Sequence, residues 1–282
     1  MQIVPSQDVI GAVIEGADLA QPLSDAAFAR IEAAFNKYAV LCFPKQKLDE
    51  PQMIAFAKRF GEVERIFLSH YAHPEYPEIM FVSNIRENGR DIGHADAGRV
   101  WHTDMSYTER PPRATLLYAL EVPVENGVVL GDTLFSSAAH AHDSLPEETR
   151  HRIARLRAIH QVAGRRARTG TGQEDQALRH KQPAVVHPVV RTHPHTGRKC
   201  LYVSKGECEG IEGMATNDAL ALIEELAEHT VDPRFRHVHR WQTQDLLMWD
   251  NCTVQHLASL DYQWPQHRRL MHRITVDGTI PV

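Results

Sequence analysis

Seven short runs rich in β-branched, aromatic and other apolar residues are spread along the chain. They are AVLCF (39–43), IMFVS (79–83), ATLLYALEV (114–122), KCLYVS (199–204), RHVHRW (236–241), DLLMW (245–249) and RITV (273–276). Runs this short, several of them separated by turn-forming residues, suit strands. Strands at short intervals are what barrels and sandwiches need. Helical signals are fewer. Ser24 can cap DAAFARIEAAFNKY, Pro51 opens PQMIAFAKRF ahead of Gly61, and Ser144-Leu145-Pro146-Glu147 has capping-box spacing before ETRHRIARLRAI. A fourth helix is expected after Thr216, burying Leu220, Ile223 and Leu226. The expected fold is mainly β with flanking helices, a β-sandwich or jelly roll with helices packed on one side.

No repeat, low-complexity tract or long Gly/Ser/Pro linker divides the 282 residues, so one domain, 1–282, is expected. The segment GRRARTGTGQEDQALRHKQP (164–183) fits neither a P-loop nor a dinucleotide fingerprint. It reads as a surface loop with a second reading as a lid over a site. The formal net charge of −5 gives no basic bias toward nucleic acid or an anionic membrane. Four cysteines without a C-x-x-C pair suggest free thiols in a reducing compartment. The first residues carry no signal-peptide pattern, and nowhere do 18 apolar residues run together, so a cytoplasmic, non-membrane protein is expected.

The chemistry-bearing stretch is VWHTDMSY (100–107). In extended backbone, residues i and i+2 share a face, so His102 and Asp104 could approach one ion. A distant histidine would complete a 2-His-1-carboxylate set, which leaves positions open and suits Fe(II) and O2. The C-terminal segment offers His256, followed by Arg268, Arg269 and Arg273. The tripeptide alone decides nothing, because a chain with 18 His produces His-x-Asp by chance, and His94-Ala95-Asp96 is a second instance. That rival lies in a Gly-rich stretch without the neighbouring tryptophan and reads as loop. His237 and His239 alternate on one strand and could also face an ion, though a solvent-facing edge is the preferred reading.

WHTDMSYTERPP, GDTLFSS, HPVVRTHPHTGRK, WDNCTVQH and RRLMHR, in that order and at these distances, resemble the TauD/TfdA family of Fe(II)- and 2-oxoglutarate-dependent dioxygenases. The resemblance runs nearly end to end, starting at IEGADLAQPLSD, and implies a double-stranded β-helix (jelly roll, cupin-like) core. It further implies that His102, Asp104 and His256 bind Fe(II), and that Arg269 grips the far carboxylate of 2-oxoglutarate with the Thr133 hydroxyl as a second donor. A planar guanidinium suits a carboxylate better than an ammonium does. Arg273 matches the arginine that meets the substrate's anion, and His70 and Tyr71 are candidates for substrate-facing residues. The implied reaction uses O2 to hydroxylate a small anionic substrate (a sulfonate, a sulfate ester or a carboxylate such as an aryloxyalkanoate) and gives succinate and CO2. The resemblance also implies a homo-oligomer, as relatives commonly are. Where relatives commonly have arginine after Trp-Asp-Asn, this chain has Cys252. A non-catalytic or differently metallated binding protein on the same fold is the alternative, against which the intact ligand and arginine positions weigh.

Overall fold

The structure, a computed structural model, describes residues 1–65, 69–95, 98–162, 179 and 181–282. Asp96 and most of the 164–183 segment lie outside the described residues. The chain opens with β1 (Gln2–Pro5), β2 (Ala12–Glu15), α1 (Asp25–Tyr38), β3 (Val40–Phe43) and α2 (Glu50–Lys58). A short 3-10 turn (Ser69–Tyr71), β4 (Met80–Ser83), the hairpin β5 (Arg86–Glu87) and β6 (Arg90–Asp91), and the long β7 (Ala114–Glu121) follow. Next come β8 (Val124–Glu125), β9 (Val128–Val129), β10 (Thr133–Ser137), α3 (Ala138–Ser144), α4 (Glu147–Ile153) and β11 (Arg157–His160). The remainder holds β12 (Val185–Pro188), β13 (Val190–Thr192), β14 (Lys199–Leu201), β15 (Cys208–Ile211), α5 (Thr216–Thr230), β16 (Arg236–His239), β17 (Leu246–Asp250), β18 (Val254–Ala258) and β19 (Leu270–Val276).

Two sheets carry the site. One has seven strands in the order β1-β2-β3-β17-β7-β19-β4, and the other has three in the order β16-β10-β18. Successive side chains of a strand point to opposite faces, and β7 shows the consequence. Leu116 and Tyr118 join a core with Phe35 of α1 and Phe56 of α2, whereas Leu117 and Ala119 join Phe135 of β10 and Val254 of β18 between the sheets. Because the large sheet is covered on both faces, its strands read as unbroken apolar runs instead of alternating ones. In β19 the same alternation sends Ile274 and Val276 to the helical side and Met271 to the inter-sheet side, and Arg273 shares the phase of Met271. A third core packs α3 and α5 against the strands β13 to β15.

Ser24 caps α1 as its spacing suggests, its side chain accepting from Ala27 N at 3.2 Å. In α2 the cap is Asp49, which forms a reciprocal box with Gln52. Two helix readings are corrected. Ser144 ends α3, where its hydroxyl donates to Ala141 O, and α4 starts after Pro146 with no side-chain cap. The helix also stops at Ile153, because Arg157–His160 pairs with both β12 and β15. In α5 it is Leu222 that is buried with Ile223 and Leu226, and Leu220 is half-buried. The solvent-facing reading of His237 and His239 is corrected as well. They lie on an edge strand, but their shared face turns inward: His239 is buried and His237 lies against Asp8 at 2.8 Å.

Candidate active site

His102 is placed by backbone pairing. Its N–H donates to His256 O at 3.2 Å and its carbonyl accepts from the His256 N–H at 2.8 Å, so His102 stands directly opposite His256 of β18. Directly opposed residues put their side chains on one face, and the two imidazole centroids are 4.1 Å apart. This is a single bridge, and the backbone turns at Asp104 instead of staying extended as the spacing suggests. Gly98, at φ +84, lets the incoming loop run close to β18, where a Cβ would come within 3.1 Å of Ala258. Asp104 follows in a turn and is buried.

Donor atoms converge. His102 Nδ1 lies 2.8 Å from Val100 O, and since a carbonyl can only accept, Nδ1 carries the proton there and Nε2 is the nitrogen turned toward Asp104. His102 Nε2 is 3.7 Å and His256 Nε2 3.8 Å from the same oxygen, Asp104 Oδ1. Two donors each about 2.1 Å from one ion can stand no more than roughly 4.2 Å apart, so both pairs fit a shared ion.

Asp104 is held from behind. Thr115 Oγ1 donates to its Oδ2 at 2.6 Å, and Asn251 Nδ2 donates to Thr115 Oγ1 at 3.0 Å. Asn251 Oδ1 also accepts from Trp249 Nε1 at 3.1 Å. The residue reading missed Thr115 and any role for Asn251. A threonine in the inter-sheet phase of ATLLYALEV was the available signal for the first, and its place in WDNCTVQH for the second.

Charge is dense here. Burial works to raise the Asp104 pKa, but Arg273, then His256 and His102, hold it well below the ordinary value. For His102 burial opposes protonation, and the Asp104 hydrogen bond and charge outweigh it, so its pKa is raised. His256 is pushed down to about 3 by burial and by the neighbouring His102. Arg273 Nη2 pairs with Asp104 Oδ1 at 2.9 Å, reaching across a narrow space of about 50 Å³.

Thr133, Arg269 and Arg273 line that space together with the two histidines and Asp104. Arg269 is buried, its Nε has no hydrogen-bond partner, and burial pulls its pKa down against the opposing pull of Tyr262. Gly131, at φ +80, makes room for it: a Cβ would meet Tyr262 at 3.0 Å and Arg269 Nε at 3.5 Å. Arg268 points away and pairs with Glu121 on the surface. His70 and Tyr71 are not among the lining residues. Tyr71 stacks on His94 at 5.5 Å and packs against the inter-sheet core, and His70 is exposed.

The family described as "Taurine catabolism dioxygenase TauD, TfdA family" matches residues 2–275. The pentalenolactone F synthase of Streptomyces arenae is 32% identical, over 97% of this chain and 94% of its own. The alpha-ketoglutarate-dependent 2,4-dichlorophenoxyacetate dioxygenase of Cupriavidus pinatubonensis is also 32% identical, with 98% of each chain covered. A crystal structure of a taurine dioxygenase from Burkholderia xenovorans superposes with a TM-score of 0.84 at 29% identity, covering 100% of this chain and 90% of that one. A jelly-roll core with such relatives defines a 2-oxoglutarate-dependent dioxygenase. The chain belongs to the TauD/TfdA family.

Proposed function

We propose that His102, Asp104 and His256 hold Fe(II), that Arg269 and Thr133 bind the distal carboxylate of 2-oxoglutarate, and that Arg273 meets the anion of a small organic substrate. The observation that carries this reading is the convergence of two imidazole nitrogens and one carboxylate oxygen beside a buried guanidinium whose Nε lacks a partner. Two nitrogens and one oxygen suit iron with positions left open. Among the described residues no carboxylate pairs with Arg269, and a buried cation of this kind calls for an anion. Bound together, Fe(II) and 2-oxoglutarate supply the O2-dependent chemistry that oxidises a substrate C–H bond and releases succinate and CO2.

The chain's own residues position and shield. Thr133 Oγ1 already accepts from Trp241 Nε1 at 3.0 Å, which leaves its proton free to donate to a carboxylate. Val82, Leu117 and Trp249 give the cavity an apolar wall that limits water. Arg273 pairs with Asp104 Oδ1 at 2.9 Å and so lies beside the proposed ion site, where a substrate's anion could meet it. His70 and Tyr71 stay outside the proposed set.

The substrate class rests on Arg273 and on relatives named for 2,4-dichlorophenoxyacetate, a carboxylate, and for taurine, a sulfonate. Among the described residues no helix is long and apolar enough to cross a membrane. The four cysteines are buried and unpaired, in keeping with action in the cytoplasm. We read residues 1–282 as one catalytic domain, working as a homo-oligomer as the family resemblance implies. The test is a panel of aryloxyalkanoates, sulfonates and sulfate esters scored for succinate release together with substrate loss. Turnover of at least one is expected, and binding of Fe(II) and 2-oxoglutarate with no turnover on any would favour the non-catalytic reading.

A further inference from the structure

We propose a second metal site, separate from the candidate active site, in which Cys42, His239 and Asp245 bind Zn(II) or a cation of similar borderline character. Cys42 is far in sequence from His239 and Asp245, and the set draws on both sheets. Cys42 lies on β3 and His239 on β16, and Asp245 directly precedes β17. One donor atom from each lies within 4.8 Å of the other two, and all three residues are buried, at 8%, 9% and 3% exposure.

The contact between His239 and Asp245 is the informative one. His239 Nε2 is 3.2 Å from Asp245 Oδ2, yet that nitrogen has no hydrogen-bond partner, so the two atoms sit side by side without an aligned N–H···O bond. Donors about 2.1 Å from a common ion at an angle near 100° are about 3.2 Å apart. An unaligned close pair of this length is therefore what two ligands of one cation look like. Both are held in place from outside: the Gln242 N–H donates to Asp245 Oδ2 at 2.9 Å, and the Trp241 ring stands perpendicular to His239 at 4.7 Å.

Sulfur, nitrogen and oxygen in one set select a borderline ion, since hard Mg(II) and Ca(II) prefer oxygen alone. Three protein ligands leave a fourth position of a tetrahedron, here on a cavity of about 300 Å³ lined also by His237. Water or a small anion would fill it. The ion would tie the interior strand β3 of the seven-stranded sheet to β16, the edge strand of the three-stranded one, so it should stabilise the sandwich.

The test uses Co(II) as a spectroscopic probe on the full chain with reduced thiols. The candidate active site offers no thiolate, so a thiolate-to-cobalt charge-transfer band in the near ultraviolet reports a cysteine ligand. Wild type should bind two equivalents and show the band. Cys42→Ser should lose the band and one equivalent, while a His102→Ala, Asp104→Ala double variant should keep the band. Cys252→Ala should also keep it, which excludes the other buried cluster of His193, Asp250 and Cys252. If Cys42→Ser fails to fold, Asp245→Asn should weaken Co(II) binding in a folded chain, as judged by circular dichroism, and Zn(II) should raise the Tm of wild type. Folded wild type without the band at saturating Co(II), or a band that survives Cys42→Ser and disappears in Cys252→Ala, would overturn the proposal.

Discussion

Thr115→Val removes one hydrogen bond and almost no volume, and so isolates what supports Asp104. The Thr115 hydroxyl is buried, donates to Asp104 Oδ2 at 2.6 Å, and accepts from Asn251 Nδ2 at 3.0 Å. A bond to a charged acceptor contributes about 1.5–3 kcal/mol. Partners that orient a metal-binding side chain are worth roughly 10- to 100-fold in metal affinity, or about 1.4–2.7 kcal/mol. The expected outcome is Fe(II) or Mn(II) binding weaker by about that factor, measured by anaerobic titration, in a protein that still folds. Some loss of Tm should accompany it, because Asn251 Nδ2 loses its acceptor. Metal affinity unchanged in a folded Thr115→Val chain would refute the view that Thr115 steers Asp104.

How much of this was legible in the sequence depended on how local each signal was. The seven apolar runs all contain strands, and α1 and α2 carry their start signals within four residues. Ser144 misled because capping-box spacing is short and degenerate: the serine ends one helix three residues before another begins. Strand β1 went unread because it forms the edge of the large sheet with no buried residue, and β2, though it buries Ala12 and Ile14, is only four residues long. At the site, the order and spacing of five motifs carried the reading, since His102 and His256 meet only through a bridge across 154 residues. His239 shows the limit. Its exposed-edge reading follows from an alternating polar strand, and only the packing of β16 against β3 and the residues before β17 turns that face inward.

Three further expectations follow from the geometry. Arg269→Ala should weaken 2-oxoglutarate binding by on the order of 2–4 kcal/mol, as expected for a buried charge partner, and an unchanged KM for 2-oxoglutarate would contradict the role given to Arg269 and Thr133. Arg273→Ala should impair the primary substrate and spare decarboxylation of 2-oxoglutarate without substrate, whereas equal loss of both would argue for a role in holding Asp104 alone. Burial pushes the His160 pKa from 6.5 to about 3 and keeps it neutral when folded, so the unfolded chain binds more protons between those values. Stability should therefore fall as pH drops below about 6.5, and His160→Gln should flatten the dependence of Tm on pH; an unchanged slope would show that other groups govern it.

The most direct test of the central claim is a crystal structure of the chain grown anaerobically with Mn(II), with the ion located by anomalous scattering. The proposal requires an ion about 2.1 Å from His102 Nε2, His256 Nε2 and one Asp104 oxygen. An ion bound only elsewhere, or none at these three residues at saturating Mn(II), would contradict it.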